Sequence, residues 1–225
     1  MPSTSTRADL SHRLPFPAHP KSTRLLSEPI LYLPPVHISV PSHSAETYRI
    51  DARGVYSPLR CPAANDVQAS TIALHKALHQ FRPVTDEHAQ MPYAEVFNWG
   101  ELLLPLDMEH EWYAVACHST CENGDLGGPS YDLDEKTHSE ALRSGGLILY
   151  WRGISNPATG TNLTTCIWQS RAHAITANSG PHHIRALRQA VTSCEKFELH
   201  RYRLRKLSGE RALRVEAYDR GDDGW

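Results

Sequence analysis

The sequence predicts an α+β fold whose C-terminal half runs β-α-β-β-α-β, and three observations carry that prediction. Short apolar runs bounded by Gly and Pro alternate with stretches of helical periodicity. Two of those runs, residues 146–154 and 162–168, are joined through Asn156-Pro157 and Gly160 as a hairpin. Ser170 stands directly ahead of the helical stretch that follows, in the place of an N-cap.

Taken in order, residues 1–29 are rich in Ser, Thr, Arg and Pro and read as a disordered tail. They contain no continuous apolar stretch of the secretory kind. The same bias occurs in mitochondrial transit peptides, but Pro15, Pro17 and Pro20 would interrupt an amphipathic helix and Asp9 adds a negative charge. Residues 30–110 read as an α+β extension packed on the main domain. Within it, residues 30–33 and 36–40 are short edge strands around Pro34-Pro35, and residues 46–55 alternate weakly. Asp66 caps a helix running to about Phe81, with Val67, Thr71, Leu74, Leu78 and Phe81 on one face and Pro83 ending it. Residues 93–104 read as one or two aromatic-rich strands broken by Pro105.

The main domain spans residues 111–225. Residues 112–118 form a buried strand, and the stretch 122–131, with Gly124, Gly127, Gly128 and Pro129, is turn chemistry. Residues 134–143 form a short helix closed by Gly145. After the hairpin, a helix over 171–178 breaks at Gly180-Pro181 and resumes over 182–197, with Ile184, Leu187, Val191, Cys194 and Phe197 at helical spacing. Residues 199–207 form the last long strand, and 213–218 add a short one. That order is the order of a ferredoxin-like domain.

Composition narrows the function classes. Apolar residues make up 40% of the 225-residue chain and charged residues 21%, which allows a sizeable core and argues against general disorder. No apolar run approaches the roughly 18–20 residues that cross a bilayer, so no membrane partner is expected. Five cysteines, an odd number without a secretory signal, suggest reduced thiols and a soluble protein of the cytoplasm, extending to the nucleus. The sequon Asn162-Leu163-Thr164 would then stay unmodified. Charge is uneven: residues 86–140 hold thirteen acidic residues against Lys136 alone, whereas residues 182–214 hold nine Lys or Arg against three acidic residues. A nucleic-acid binder would not carry that acidic counterweight. The two segments are expected to attract each other, within a subunit or across a dimer.

No phosphate-binding Gly-rich loop, Gly-x-Ser-x-Gly elbow or dinucleotide fingerprint occurs, which removes most nucleotide-dependent and serine-hydrolase readings. Neither a cofactor nor a metal is expected. Cys117 and Cys121 have a C-x3-C spacing without the second pair of a zinc site. His75 and His79 stand at i,i+4, but no Glu follows His75, and a solvated helix face accounts for them. Arg201, Arg203 and Arg205 alternate and so share one face of the last strand. They would either grip an anionic substrate or pair with the acidic segment.

The segment LILYWRGISNPATGTNLTTCIWQSRAHAITANSGPHHIRALRQAV resembles the hairpin-then-helix of the antibiotic-biosynthesis monooxygenase-like, or dimeric α/β-barrel, superfamily. Trp168, Ser170 and Gly180-Pro181-His182 stand at its strand end, helix start and helix break. Residues 198–206 look more specifically like an uncharacterised fungal protein family. The resemblance covers about residues 111–218. It implies a homodimer and a cavity between sheet and helices, binding or transforming a small hydrophobic or aromatic molecule. Tyr150, Asn162, Trp168 and Arg203 would then contact the substrate, and His182 and His183 would be the catalytic candidates. A His at a helix N-terminus has its imidazolium disfavoured by the dipole, which suits a general base. The superfamily holds cofactor-free oxygenases, haem-degrading enzymes and proteins without known catalysis, so the fold leaves enzymatic status open. Two other classes stand beside this reading: a non-catalytic interaction or scaffold protein, and a haem binder using one of the fourteen histidines.

Overall fold

The computed structural model describes residues 29–34, 48–50, 56–58, 64–121 and 130–218. The disordered-tail reading of residues 1–29 and the strand expected over 36–40 fall almost wholly outside them. In chain order the elements begin with three short strands, β1 (Ile30–Tyr32), β2 (Tyr48–Ile50) and β3 (Tyr56–Pro58), then helix α1 (Ala64–Ala77) and the single turn α2 (Tyr93–Val96). The main domain follows as β4 (His110–Thr120), α3 (Ser130–Ser144), β5 (Leu147–Arg152) and β6 (Thr161–Trp168). It closes with α4 (Arg171–Asn178), α5 (Pro181–Ser193), β7 (Lys196–Lys206) and β8 (Arg214–Ala217).

Six strands form one antiparallel sheet in the order β1-β5-β6-β4-β7-β8, and β2 and β3 pair separately. The inner order β5-β6-β4-β7, with helices between β4 and β5 and between β6 and β7, is ferredoxin-like. Local sequence explains the joints. Gly145 and Gly146 both take φ of 77° in the turn from α3 to β5, a region that side chains other than glycine rarely enter. A Cβ on Gly146 would also lie 2.3 Å from the His173 ring. The Ser170 side chain accepts from the His173 backbone N–H and caps α4, and Pro181 opens α5 at its first turn.

The period-2 alternation of the strands sorts the core into two layers. On one face Tyr113, Val115, Leu147 and Trp168 pack with Ala141 of α3 and Ala174 and Ala177 of α4. On the other face Trp112, Ala114, Ile148, Trp151, Leu163 and Ile167 meet Leu74, Leu78, Phe81, Tyr93, Val96, Phe97 and Trp99. Residues 74–104 therefore cover the second face of the sheet with this chain's own side chains. Tyr93 stitches the layers together: its buried hydroxyl donates to Thr165 Oγ1 at 2.7 Å, and Thr165 donates to the Val115 carbonyl at 2.9 Å.

Three expectations need correcting. Residues 93–104 are not strands but the turn α2 and a 3-10 turn over Trp99–Glu101. Pro92 precedes α2, and the aromatic rings pack on one another, Phe81 on Phe97 at 4.3 Å and Phe97 on Trp99 at 5.5 Å. The last helix stops at Ser193, and Phe197 lies in β7, opposite Ser119. The apolar stripe of α5 faces outward, with Ile184, Leu187 and Val191 exposed. Finally, the thiols are not all reduced: Cys121 and Cys194 form a disulfide with a Cα–Cα distance of 4.3 Å. The Thr120–Lys196 register brings the end of β4 to the start of β7 and so places the two cysteines together. Cys117 and Cys166 are free thiols, and Cys61 falls outside the described residues.

Lys206 is the largest charged side chain that is wholly buried. Its ammonium donates to the carbonyls of Met108 and Leu207 at 2.8 and 2.7 Å and clasps the end of β7 to the turn before β4. Lys206→Met fills the same space but leaves both acceptors without that donor. The expected cost is about 2 kcal/mol, read as a lowered urea midpoint at unchanged slope. An unchanged midpoint would show the clasp to be dispensable.

Candidate functional site

Register and alternation place Tyr150 and Arg152 of β5 and Asn162, Cys166 and Trp168 of β6 on the helix-facing side of the sheet, where Tyr150 pairs with Cys166 and Arg152 with Thr164. Across from them, His138 of α3 sets its ring edge-on to Tyr150, with centroids 4.1 Å apart. Tyr32 of the edge strand β1 lies 6.5 Å from the same imidazole. His138, Arg152 and Asn162 are 7%, 8% and 5% exposed, three buried polar side chains spread along this side of the hairpin: His138 at the level of Cys166, Arg152 across from Thr164, and Asn162 toward the turn. The Oδ1 of Asn162 has no hydrogen-bond partner. Buried polar groups are costly unless satisfied, which marks this stretch off from the apolar layer next to it. Trp168, 3% exposed, belongs to that apolar layer.

Arg203 shares this face at the Trp168 end, and the two histidines lie on α5. Arg203 stands across Tyr113 of β4, with its guanidinium 5.0 Å above the Tyr218 ring. Its Nε is 3.5 Å from Glu111, and Arg205 reaches both Glu111 at 3.1 Å and Glu216 at 3.2 Å. Burial pushes Glu111 above the usual carboxylate range in spite of the two arginines. His182 and His183 open α5, and both backbone N–H groups donate to the Glu140 carboxylate, at 3.0 and 2.9 Å. Glu140 thus supplies the negative charge that a helix N-terminus favours. Burial alone would raise the Glu140 pKa, but these two N–H groups and the His183 ring outweigh it and hold it low. Burial also drives the His183 pKa down, against the pull of Glu140. Glu111 and Glu140 come from the acidic segment and their partners from the basic one, so the two segments meet inside the chain.

The structure therefore sets Tyr150, Asn162, Trp168 and Arg203 on one face of the sheet, with Arg203 and Trp168 in register on either side of Tyr113 and Asn162 at the far end of β6, while His182 and His183 stand on α5. It adds Arg152 and His138. The Arg152 position follows from the same period of two that joined Tyr150 to Asn162. For His138 no local signal exists, because the docking of α3 on the sheet decides it. Partial burial of Cys117 and Cys166 raises both thiol pKa values, Cys117 to about 12, which makes neither a ready nucleophile. His75 Nε2 donates to the Pro34 carbonyl at 3.0 Å, and its ring stands edge-on to His79 with centroids 5.2 Å apart. Among the described residues no group of three or more His, Cys, Asp or Glu could hold a metal ion, and no helix is long and apolar enough to cross a membrane.

The strand order and the helices between its strands define a ferredoxin-like α+β protein with a helix-covered sheet. The chain belongs to the PB2B2.08-like family, whose model matches residues 56–217. A curated relative, the UPF0643 protein PB2B2.08 of Schizosaccharomyces pombe, is 29% identical over 152 residues, covering 60% of this chain and 69% of the relative. Among solved structures, SnoaB, a cofactor-independent oxygenase from Streptomyces nogalater, is 13% identical with a TM-score of 0.34, covering 45% of this chain and 99% of that one. A Nitrosomonas europaea protein assigned as an antibiotic biosynthesis monooxygenase is 10% identical with a TM-score of 0.33, covering 44% of this chain and 90% of its own. Rv0793 from Mycobacterium tuberculosis is 14% identical with a TM-score of 0.34, covering 43% and 95%. The likenesses concern the ferredoxin-like core, and the fold assignment itself rests on the strand order of this chain.

Proposed function

We propose that the helix-facing side of the β5–β6 hairpin binds a small hydrophobic or aromatic molecule, with Asn162 as its polar anchor and the apolar surface running along β6 past Tyr150 toward Trp168. One observation carries this reading: the Asn162 carbonyl oxygen is buried without a hydrogen-bond partner. Such an atom costs about 1–3 kcal/mol, and a hydroxyl or N–H on a ligand would recover it. Arg152, across from Thr164, and the His138–Tyr150 pair, at the level of Cys166, continue the polar groups along the hairpin, while the Trp168 layer supplies apolar surface. Most small-molecule sites combine those two ingredients.

The test uses 1-naphthol, an aromatic probe with one hydroxyl donor, against naphthalene as the control without it. Calorimetric titration of the full chain is expected to favour 1-naphthol over naphthalene by about tenfold, one hydrogen bond's worth. Asn162→Leu should remove that preference while leaving thermal stability unchanged or raised, because an unsatisfied buried group is lost with it. Equal binding of the two probes by the native chain overturns the reading. So does an Asn162→Leu protein that melts well below the native one, since the amide would then be serving the fold.

A further inference from the structure

On the opposite side of the sheet, where the covering segment meets the β5–β6 turn, there is a cleft of about 320 Å³ lined by Pro83, Asp86, Glu87, His88, Ile154 and Pro157 among others. His88 lines it at 5% exposure, its ring edge-on to Trp151 with centroids 5.1 Å apart. Gly153 makes room for that ring, since a Cβ there would lie 2.2 Å from Nε2. Backbone groups of Thr85 and Ile154 lie near the imidazole, yet neither ring nitrogen makes a hydrogen bond of good geometry. A deeply buried polar ring is thus left unsatisfied in the wall of an open cleft.

The charges around it have one sign. Asp86 and Glu87 are both exposed at the lip, and no Lys or Arg contributes to the lining. The nearest cation in the sequence, Arg82, is committed to Glu101 at 2.7 Å. The remaining walls are Pro83, Pro157 and the Ile154 side chain, which offer apolar surface to the body of a ligand. An anion would meet two carboxylates there and no donor of positive charge. A neutral molecule would leave the carboxylates unused.

We propose that this cleft is a second binding site, separate from the helix-side one, and that it takes a small organic cation. The ammonium group sits at the Asp86–Glu87 lip, and the apolar body lies along Pro83, Ile154 and Pro157 toward His88. An N–H or hydroxyl on that body would complete the unsatisfied imidazole. Because the site lies on the other face of the sheet, it stands or falls independently of Asn162.

The experiment follows benzylamine, benzyl alcohol and benzoate by ligand-observed NMR against the full chain at fixed ionic strength. Benzylamine is expected to bind saturably, with benzyl alcohol weaker and benzoate weakest. Asp86→Asn combined with Glu87→Gln removes both lip charges from exposed positions, so the fold should persist, as a melting curve would verify. That double variant should weaken benzylamine about five- to tenfold, two exposed charge pairs' worth, and leave benzyl alcohol unchanged. The proposal is overturned if benzylamine does not saturate, if benzoate binds as tightly, or if the double variant binds benzylamine as the native chain does.

Discussion

Replacing Trp151 by Ala is expected to destabilise the protein by about 3–5 kcal/mol, the usual cost of removing a fully buried indole. Trp151 is 2% exposed and points from β5 away from the helices. It is held between the covering segment and the sheet, with Phe97 edge-on at 4.9 Å and His88 at 5.1 Å. Its loss therefore opens a cavity in the layer that joins residues 74–104 to the ferredoxin-like core. Urea unfolding followed by circular dichroism and by fluorescence should move together, because one core implies one transition. Leu187→Ala is the control: that side chain is 47% exposed on α5, and the change should stay within about 0.5 kcal/mol. If Trp151→Ala cost no more than Leu187→Ala, the covering segment would not be part of the cooperative unit.

The contrast between those two residues shows what local sequence carries and what it does not. Both stood in clear apolar patterns. For the hairpin strands the pattern was sufficient, because a period of two leaves only two faces, and antiparallel pairing fixes which side chains share one. Tyr150 and Asn162 were legible together for that reason. So was the Ser170 cap, whose partner His173 is three residues away. On α5 the period of 3.6 revealed a stripe but not its direction, which depends on how the helix rests on α3 through Glu140 and the N–H groups of His182 and His183. Residues 93–104 misled through composition: aromatic side chains favour strands, yet here Tyr93, Phe97 and Trp99 build a cluster of their own between turns. The Cys121–Cys194 bond spans 73 residues, and its partners meet only once β4 and β7 are in register. His88 is the same case: its significance comes from Trp151 and Gly153, far along the chain.

Acidification is the second large effect, and histidines carry it. Burial lowers the pKa of His75, His88, His110, His118, His173 and His183 from the ordinary 6.5, His110 to about 4. A histidine with a depressed folded pKa binds its proton more readily when unfolded. Its contribution to stability is intact above about pH 6.5 and is lost as pH falls below that value toward the folded pKa. For His110 alone, a drop from pH 7 to pH 5 removes about 2 kcal/mol by this linkage, and the other five add in the same direction. Glu111 opposes them: burial raises its pKa, so its protonation relieves a desolvated charge, but one carboxylate stands against six imidazoles. Urea midpoints at pH 7, 6 and 5 should therefore fall steadily. His110 sits edge-on to Trp112 with centroids 4.8 Å apart, so His110→Phe keeps a ring in place while deleting the titration. That variant should retain about 2 kcal/mol more of its pH 7 stability at pH 5 than the native chain does. A midpoint that is flat or rising on acidification would mean that these imidazoles protonate without leaving the fold, through water or through movement of the segments that bury them.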